Sequence, residues 1–350
     1  MPSSHIDCTV NLGGKEIAAD EVHDILVECD LDQPDMASVI LSNASTRYSE
    51  QVNEGDDIEV KLGFVEGASS NSVFKGEVTG VEPLYDSRAP ARVVIRALNQ
   101  LHRLTRGKKS VAHKQVTDKD IVDKVCQAYG LTAKYGDTPP STKYEHVYQH
   151  NMSDLEFLRL RSARLGYEIF VNDKELNFRK RIEADSGITL EFGLSGANVL
   201  EKFMPRLSTA NQVSEVRVYG WDHDKKKEIV GSAKPSSSKL GDKTGSQVAD
   251  ATHSGVLQIQ TDSPVSSKEE ADNIAKSILQ ERLMSFITGD GTCKGNPSMK
   301  PGIIVSVNVQ DKRFNGKYYV TAVKHRYVHA GTSGGYRTEF KFRRDAKSSS

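Results

Sequence analysis

The chain has 350 residues, of which 37% are hydrophobic and 27% charged, so it can bury several cores in roughly two or three domains. Lys and Arg together number 47, as do Asp and Glu, so no net charge draws the chain to nucleic acid or to an anionic membrane. No apolar run approaches the roughly 18 residues of a membrane span, and the polar start lacks the blocks of a signal peptide. We therefore expect a protein that is made in the cytoplasm, has no membrane span, binds no nucleic acid and recognises its partners by shape.

The first part of the chain, residues 1–104, alternates short apolar runs with turn residues. Apolar residues at every second position, interrupted by turns at short intervals, are typical of strands in a small twisted barrel or sandwich. These residues are therefore assigned to a first tube-like β domain.

The middle of the chain, residues 105–185, contains the start and stop signals of helices. Thr117 precedes an acidic run and an apolar stripe as an N-cap residue would, and Gly130 supplies the stop. Ser153 begins a second helix in the same way, and Gly166 ends it. Short β-like runs surround both helices, so the pattern predicts a small α+β domain.

The second half of the chain is predicted to form another β domain with an interruption. β-like runs occupy residues 186–221 and 265–345, which are assigned to a second tube-like β domain. The residues between them, 222–264, are rich in Lys, Ser, Gly and Thr and predict a mostly exposed polar insertion. Ser267 is expected to cap a long amphipathic helix at residues 268–287.

Two further segments are expected to lack fixed structure. Residues 235–245 have almost no apolar side chains, so the pattern predicts a stretch that is mobile or becomes ordered only against a partner. Residues 346–350 are rich in serine and are predicted to be a disordered tail.

The last strands of the chain repeat the pattern of the first domain. Gly55 and Gly302 each precede a strand in which apolar residues stand at the third and fifth positions after the glycine. The following strands match in turn, although the second copy has two extra residues, an even number that keeps side chains on the same face of the strand. The expected equivalent pairs are Gly55 with Gly302, Val60 with Val307, Gly76 with Gly316, Val81 with Val323, and Ile95 with Phe340.

This repeat predicts the fold class. We expect an α+β, mostly β protein in which two similar tube-like β-barrel domains flank a small α+β domain, with an inserted loop region. The alternative is a chance likeness between two amphipathic β meanders. If the duplication is real, three chains in a closed ring present six similar units, which suits a homotrimer that faces a six-fold object and keeps three-fold features elsewhere.

Three stretches of the sequence together indicate a family. They run from Tyr148-Gln149 through Ser153-Asp154-Leu155-Glu156 to Gly166-Tyr167, from Val218-Tyr-Gly-Trp221-Asp222 into the following Lys-Lys-Lys-Glu-Ile-Val-Gly, and from Gly291-Thr-Cys-Lys-Gly295-Asn-Pro297 to Phe314-Asn-Gly316-Lys-Tyr318. In this combination the chain resembles the phage late control protein D and VgrG-like baseplate hub proteins over nearly its whole length. The resemblance implies a homotrimer whose two tube-like domains per chain form a pseudo-hexameric collar.

The resemblance also implies a non-enzymatic role, in which the hub adapts a six-fold inner tube to a three-fold central spike inside an assembled particle. The implied partners are a hexameric tail-tube or tube-initiator protein, a trimeric spike protein and baseplate wedge components. Because the sequence stops at Ser350 without an OB-fold, a β-helical needle or a lysozyme-like domain, the spike is expected to be a separate chain. The sequence is equally compatible with a phage tail, a tailocin, an extracellular injection system and a secretion apparatus.

The residue types that bind metals are present but not arranged as a site. His146 and His150 are spaced to share one face of a helix or strand, as are His325 and His329, but no third ligand accompanies either pair. The four cysteines are scattered and never form a Cys-x-x-Cys pair, so they indicate free thiols. We therefore expect no metal site, no cofactor site and no catalytic residue.

Four other features each have a structural explanation. Glu156 lies beside an apolar stripe and could serve as a general acid, but its place in Ser-x-x-Glu explains it as part of a helix cap. The run Gly289-Asp-Gly291 resembles half of a dinucleotide fingerprint, yet it follows a helix and is predicted to be a turn. Lys225–Lys227 is predicted to be a solvated turn, and Trp221 a core or inter-subunit anchor.

Two alternative functions stay open. A peptidoglycan hydrolase at the tip of the particle would digest cell-wall material. A receptor- or carbohydrate-binding tail module would bind cells or glycans as an isolated protein.

Overall fold

The structure, a computed structural model, describes residues 6–64, 68–137, 139–181, 185–193, 196, 198–223, 225–251, 255–262, 264–329 and 335–348. The first β unit occupies the start of the chain. Its elements are β1 (Ile6–Leu12), β2 (Lys15–Ile17), β3 (Val22–Asp30), β4 (Met36–Ser42), α1 (Arg47–Gln51), β5 (Asp57–Phe64), β6 (Ala68–Asp86) and β7 (Ala89–Leu98).

The strands of the first unit follow the alternation of apolar residues. In β5, for example, Ile58, Val60 and Leu62 are buried, whereas the residues between them are partly exposed. The long strands pair in the spatial order β1-β5-β6-β7-β4-β3, and every neighbouring pair is antiparallel. Their inward side chains form one continuous hydrophobic core.

The middle domain follows a short 3-10 helix at Gln100–Thr105. Its elements are β8 (Lys109–Thr117), α2 (Asp118–Tyr129), β9 (Thr132–Lys134), β10 (Lys143–Met152), α3 (Asp154–Leu165), β11 (Tyr167–Asn172) and β12 (Glu175–Lys180). The strands form one two-stranded and one three-stranded sheet, and their apolar faces share a separate core with the two helices.

Both helix caps predicted in the middle domain are confirmed. The hydroxyls of Thr117 and Ser153 accept hydrogen bonds from the backbone N–H groups of Asp120 and Glu156, and the carboxylates of the two acidic residues accept bonds from the N–H groups of the cap residues. A glycine in the left-handed conformation ends each helix, as the sequence predicts.

The rest of the chain forms the second β unit and its insertion. Its elements are β13 (Asp185–Phe192), β14 (Val199–Leu207), β15 (Glu215–Asp222), β16 (Lys227–Ala233), β17 (Lys243–Thr244), α4 (Gly245–Asp250), β18 (Leu257–Gln260), α5 (Lys268–Met284), β19 (Ile287–Lys294), β20 (Ile304–Asn308), β21 (Gly316–Val328), β22 (Gly335–Arg344) and β23 (Ala346–Lys347).

Six of these strands close into a barrel. The ring runs β13-β20-β21-β22-β19-β14 and returns to β13. Its interior is a core of valines, leucines and aromatic rings that pack in both stacked and edge-to-face contacts. The α+β, mostly β architecture predicted from the sequence is confirmed.

The insertion is longer than the sequence indicates. The sequence assigns β15 to the second β unit and begins the insertion at residue 222, whereas the structure pairs β15 with β16 and β18 in a separate three-stranded sheet. The apolar side of this sheet, including Val216 and Val218, is covered by Ile274 and its neighbours on α5. The insertion therefore includes everything between β14 and β19, and α5 belongs to it. The helix ends at Met284, shortly before β19 begins.

Two segments expected to lack structure are ordered. In the stretch 235–245, Leu240 is buried with Met284 and Tyr319, and β17 pairs with the short strand β23. Ala346 in β23 is fully buried, so the predicted tail at 346–350 is a strand at its start, and residues 349 and 350 lie outside the described residues. A buried leucine and a short backbone ladder thus take part in holding a segment that is otherwise polar.

The predicted cap at Ser267 is confirmed, but it does not form a full capping box. Ser267 accepts a bond from the N–H of Glu270, but the carboxylate of Glu270 accepts bonds from the N–H of Ser266 at 2.9 Å and from the guanidinium of Arg164 at 2.7 Å. Arg164 belongs to α3, so this acid links the insertion to the middle domain instead of completing the cap.

The predicted turn at Gly289–Gly291 is part of strand β19. Both glycines lie beneath aromatic rings of the neighbouring strand β22, and a Cβ on either would collide with the ring of Phe342 or Phe340. These glycines are therefore needed for close packing within a strand, which the sequence pattern does not distinguish from a turn.

Candidate functional site

The two β units share one arrangement of strands. In chain order the first unit consists of β1, β3, β4, β5, β6 and β7, and the second consists of β13, β14, β19, β20, β21 and β22. When each set is numbered from one to six, both have the spatial order 1-4-5-6-3-2. The insertion lies between the second and third strands of the second unit, where the first unit has only a short turn.

The fifth strands of the two units carry a β-bulge at the same place. In β6 the pairing with β7 skips Thr79, and in β21 the pairing with β22 skips Thr321. A bulge inserts one unpaired residue and bends its strand, and such features are kept within families. Two positions after each bulge residue, the fifth strand pairs with an apolar residue of the sixth strand in both units: Val81 with Ile95, and Val323 with Phe340.

The fourth strand of each unit begins at a matching glycine turn. Gly55 and Gly302 have φ angles of +93° and +81°, in the left-handed region that glycine favours. Their N–H groups donate to the carbonyl oxygens of Val78 and Val320, each over 2.8 Å. These two valines stand directly before the two bulges, so turn and bulge are connected in the same way in both units.

The fourth strands also bury equivalent residues. Val60 and Val307 are both fully buried, one in each core, whereas the residues before them, Glu59 and Ser306, are partly exposed. A slip of one residue would turn either valine to solvent, so the buried face fixes the register of both strands.

Gly76 and Gly316 do not occupy matching positions in the ladders. In β6, Gly76 stands two residues before Val78, whereas the residue two before Val320 in β21 is Tyr318. Gly316 is two residues earlier still. In the ladders, the two extra residues of the second copy therefore come before the matched part of the strand. The predicted equivalence of Gly76 and Gly316 would instead place them after the glycine, inside the matched part.

The two units differ at their first strands and are joined by a seam between β3 and β21. β1 is antiparallel to β5, whereas β13 is parallel to β20. β3 pairs on its free side with β21 over seven residue pairs, from Asp24 opposite Val328 to Asp30 opposite Ala322. The far end of the β21–β22 hairpin then covers the core of the first unit. The first unit is therefore completed by strands of the second.

The middle domain contacts both units at one junction. The N–H of Asp32 donates to the carbonyl oxygen of Ile169 over 2.8 Å, and the N–H of Ile169 donates to Oδ1 of Asp32 over 2.9 Å. The hydroxyl of Tyr319 in β21 donates to the carboxylate of Glu168 in β11. Beside these contacts lies a cavity of about 620 Å³ whose walls come from all three parts of the chain.

Burial perturbs two carboxyl groups at this junction. It raises the pKa of Glu168 to about 7, although Tyr319, Arg179 and Arg181 act in the opposite direction. It also raises the pKa of Asp35 to about 7, although Asn99 donates a hydrogen bond to this carboxylate over 2.8 Å. No pattern in the sequence marks either acid, because each stands singly among ordinary strand or turn residues.

The histidine pairs do not form metal sites. His325 is buried, with Nε2 at 3.2 Å from the carbonyl oxygen of Met299 and Nδ1 at 2.8 Å from the hydroxyl of Tyr336. Burial lowers the pKa of His325 to about 4, so the ring is neutral, and Nε2 donates while Nδ1 accepts. His146 and His150 stand four residues apart in β10, roughly 13 Å along an extended strand, too far to share one ion.

Two kinds of feature are absent from the described ranges. Among these residues, no three His, Cys, Asp or Glu side chains gather as the ligands of a metal ion would. In the same ranges, no helix combines the length and the apolar character that a bilayer crossing requires.

The remaining residues singled out in the sequence lie at separate places on the surface. The exposed carboxylate of Glu156 accepts a bond from the N–H of Ser153 over 2.7 Å, and this bond is the main cause that lowers its pKa. Lys225 lies in the turn after β15, where its N–H donates to Asp222 over 2.9 Å. Trp221 is 51% exposed on the sheet of the insertion, so it is not a core residue of this chain.

Several solved structures share this fold. The 43 kDa tail protein of prophage MuSo2 from Shewanella oneidensis matches with a TM-score of 0.72 and 13% identity over 97% of this chain and 98% of that one. A tail protein from Neisseria meningitidis MC58 matches with a TM-score of 0.71 and 14% identity over 97% of both chains. An Escherichia coli component of the type VI secretion system matches with a TM-score of 0.62 and 14% identity over 95% of this chain and 76% of that one.

At these identities the likeness establishes a shared fold, that of tail proteins. Among curated protein sequences, none matches the chain. A family model described as the Alg8 N-terminal domain matches residues 3–329, which is nearly the whole sequence. The chain therefore belongs to the family of Alg8 N-terminal domains.

Proposed function

We propose that this chain is the structural hub of a contractile tail or injection particle. Three copies form a ring of six β units, which faces a hexameric tail-tube or tube-initiator protein on one side and a trimeric spike protein on the other. Baseplate wedge components surround the ring. The tail-protein fold of the similar solved structures supports this role.

The observation that carries the proposal is the repeated unit. One chain contains the same six-strand order twice, with the same glycine turn and the same bulge. Independent origins of turn, bulge and strand order are improbable together, so we infer a duplication. A closed ring of three chains can match a six-fold neighbour only when each chain offers two similar surfaces.

The seam between β3 and β21 supports a mechanical role. β21 contributes to the closed barrel and also pairs with β3 of the first unit. The two units of one chain are therefore held by backbone hydrogen bonds instead of a flexible linker. This seam fixes the spacing of the two units within each chain, which a part that transmits symmetry from tube to spike requires.

The chemistry of Glu156 does not suit the general acid of a cell-wall hydrolase. A general acid in glycoside hydrolysis needs a raised pKa, so that the carboxyl group keeps its proton near neutral pH. The hydrogen bond from the N–H of Ser153 lowers the pKa of Glu156 instead. The residue is arranged to hold a helix end and not to donate a proton.

The test is the mass of the assembly. Native mass spectrometry of the full chain, alone and mixed with the spike protein of the same particle, should find a trimer in at least one of the two samples. A stable dimer in both would overturn the proposal. A zymogram on purified peptidoglycan should show no clearing, and clearing by the wild-type chain that Glu156→Gln abolishes would support the hydrolase instead.

A further inference from the structure

The cavity beside the junction has walls that leave apolar surface open. Its volume is about 620 Å³, within the roughly 300–1,000 Å³ of small-molecule sites in proteins. Phe170 of the middle domain and Pro301 and Ile303 of the second β unit line it and are only partly buried. The first β unit contributes further walls, including Val73. An apolar group that entered the cavity would therefore find contacts from all three parts of the chain.

Arg179 in β12 lines the same cavity with a guanidinium group that is not hydrogen-bonded. Its Cζ lies 4.9 Å from the centre of the Phe170 ring, so the group stacks on an aromatic wall. A guanidinium has five N–H donors, and none of those of Arg179 meets an acceptor among the residues that the structure describes; its Nε is also shielded from water. Buried donors in proteins are normally hydrogen-bonded, so this group is suited to an acceptor that comes from outside the chain.

Glu168 is the nearest internal candidate for that acceptor, because it stands opposite Arg179 in the β11–β12 ladder. Its carboxyl group is held elsewhere, by the hydroxyl of Tyr319. Both residues lie in the described ranges, and their charged groups do not come within 4 Å of each other. Burial also raises the pKa of Glu168 to about 7, so at neutral pH this group attracts the guanidinium less than a full carboxylate would.

The paired and unpaired charges of the cavity walls favour an anion. Lys174 and Lys300, like Arg179, have no ion-pair partner within 4 Å in the part of the chain that the structure describes. Two acidic residues of the walls are already paired: Asp173 and Glu175 each have a lysine Nζ nearby, at 3.6 and 3.2 Å. The unpaired charge at the cavity is therefore mostly positive.

The other two acids of the walls, Asp30 and Asp35, favour an anion of single charge. Burial raises the pKa of Asp35 to about 7 and also raises that of Asp30, although cationic side chains of β22 act against this on Asp30. Their negative charge is reduced but not removed, so they repel a dianion such as phosphate more strongly than a carboxylate. A planar carboxylate also matches a guanidinium through two parallel hydrogen bonds.

We propose that this cavity binds a small carboxylate with an apolar body, such as an aromatic or branched aliphatic acid. The carboxylate pairs with Arg179, and the body lies against Pro301 and Ile303. These wall residues flank Gly302, and a Cβ on Gly302 would lie 3.5 Å from Nη2 of Arg179, so the charged and apolar contacts are adjacent. A free acid and the C-terminal residue of a protein share this chemistry. The inference concerns a single chain and does not depend on the proposed ring.

Isothermal titration calorimetry of the full chain with 3-phenylpropionate is the first test. This acid has one carboxylate and an aromatic body, and we expect a dissociation constant of about 0.1–1 mM for a ligand of its size. Its uncharged amide, 3-phenylpropionamide, should bind about tenfold more weakly or worse, because it forms no ion pair with Arg179. The peptide acetyl-Gly-Gly-Phe with a free carboxylate is the second probe. Tighter binding by the peptide identifies a protein C-terminus as the source, and weaker binding a free acid.

The second test changes the guanidinium. Arg179→Met should weaken the binding of 3-phenylpropionate about tenfold or more, because methionine keeps an apolar contact with Phe170 but cannot pair with a carboxylate. Arg179→Lys keeps the charge without the forked geometry and should weaken binding less. The matched control is Lys180→Met, which removes the neighbouring exposed cation of β12 and should leave the affinity unchanged. Thermal unfolding verifies that each variant is folded, and the comparison of acid with amide on the wild-type chain stands whether or not they fold.

Three outcomes would overturn the inference. They are the absence of binding by both carboxylate probes, equal binding of the acid and the amide by the wild-type chain, and full affinity in a folded Arg179→Met variant. Inorganic phosphate that binds as tightly as 3-phenylpropionate would also contradict it, because the apolar walls would then contribute nothing. None of these results bears on the mass of the assembly, so the hub proposal and this inference can fail separately.

Discussion

At the scale of single residues, Arg344 is the least expected part of the core. Its side chain is fully buried, and its guanidinium donates to the carbonyl oxygens of Leu240 and Asn315, both over 2.9 Å, and to the hydroxyl of Ser348 over 2.8 Å. It also lies over the ring of Tyr318, 5.1 Å from its centre. Arg344 thereby connects the end of β22 to the insertion, the turn before β21 and the C-terminal strand.

Arg344→Met should lower the free energy of unfolding by about 3 kcal/mol, because the buried carbonyl oxygen of Leu240 loses its charged donor and that of Asn315 keeps only the hydroxyl of Ser348. The matched control is Arg343→Met in the same strand, whose guanidinium pairs with an exposed Glu281. That change should alter stability by less than about 1 kcal/mol. Urea unfolding at one protein concentration measures both, and equal effects of the two variants would contradict the role given to Arg344.

The residues that the sequence identifies correctly are those whose role is local. Thr117 and Ser153 were predicted as caps because the cap, its acidic partner and the final glycine all lie within one short stretch of chain. Arg344 has no such mark, since its acceptors Leu240 and Asn315 are distant in sequence. Glu168 at the junction escapes prediction for the same reason.

At the scale of elements, the segment 235–245 shows how little is needed to order a polar stretch. Leu240 is buried, its carbonyl oxygen accepts from Arg344, and Thr244 caps the helix α4 with a complete capping box. β17 at the end of the segment pairs with β23. The segment therefore contributes to the fold of the second unit and is not a free linker.

Replacing residues 235–245 with a Gly-Ser linker should lower the melting temperature by several degrees, because one buried side chain, one helix cap and one short ladder are lost together. Replacing only Ser236 and Ser237, both exposed, with glycine is the control and should change the melting temperature little. Differential scanning calorimetry compares the two. Equal melting temperatures for both variants and the wild type would show that the segment is dispensable, as its composition alone suggests.

The strands show which structural features of the two β units can be predicted from the sequence. Alternation of apolar residues correctly predicts that Val60 and Val307 are buried. It cannot locate the two extra residues of the second copy, because the sequence Phe-x-Gly occurs in both copies although it lies within β6 and at the start of β21. The ladder positions of Gly76 and Tyr318 reveal this shift. It also cannot predict the seam between β3 and β21, because the two strands lie far apart in the chain and pairing leaves no mark in either.

At the scale of the whole molecule, the acids at the junction connect pH to stability. Burial raises the pKa of Glu168 to about 7, so the folded chain keeps this proton up to neutral pH, whereas the unfolded chain releases it near pH 4.5. The folded state therefore holds more protons between these two values. The contribution of this group to stability therefore falls as the pH rises from about 4.5 to 7 and stays level above that range.

Glu168→Gln should be nearly neutral at pH 5 and should raise the free energy of unfolding relative to the wild type at pH 8 by about 2 kcal/mol. The reason is that glutamine carries no charge to bury, while it can still accept the bond from Tyr319. Glu175→Gln, an exposed acid in the neighbouring strand β12, is the control and should have the same effect at both pH values. Guanidinium unfolding of the three proteins at pH 5 and pH 8 is the measurement, and a pH-independent difference for Glu168→Gln would contradict the assignment.

The seam between β3 and β21 also determines how the chain resists a pull. Hydrogen bonds between antiparallel strands run perpendicular to the strands, so a force along the strand axis loads all seven residue pairs of the seam at once. A force perpendicular to the strands would instead break the residue pairs one after another. In the hub proposed above, contraction of a sheath would apply a sudden load along the tail axis. If the seam strands are parallel to that load, the seam fails only when all of its residue pairs break together. If they are perpendicular to it, the pairs break in sequence at a lower force.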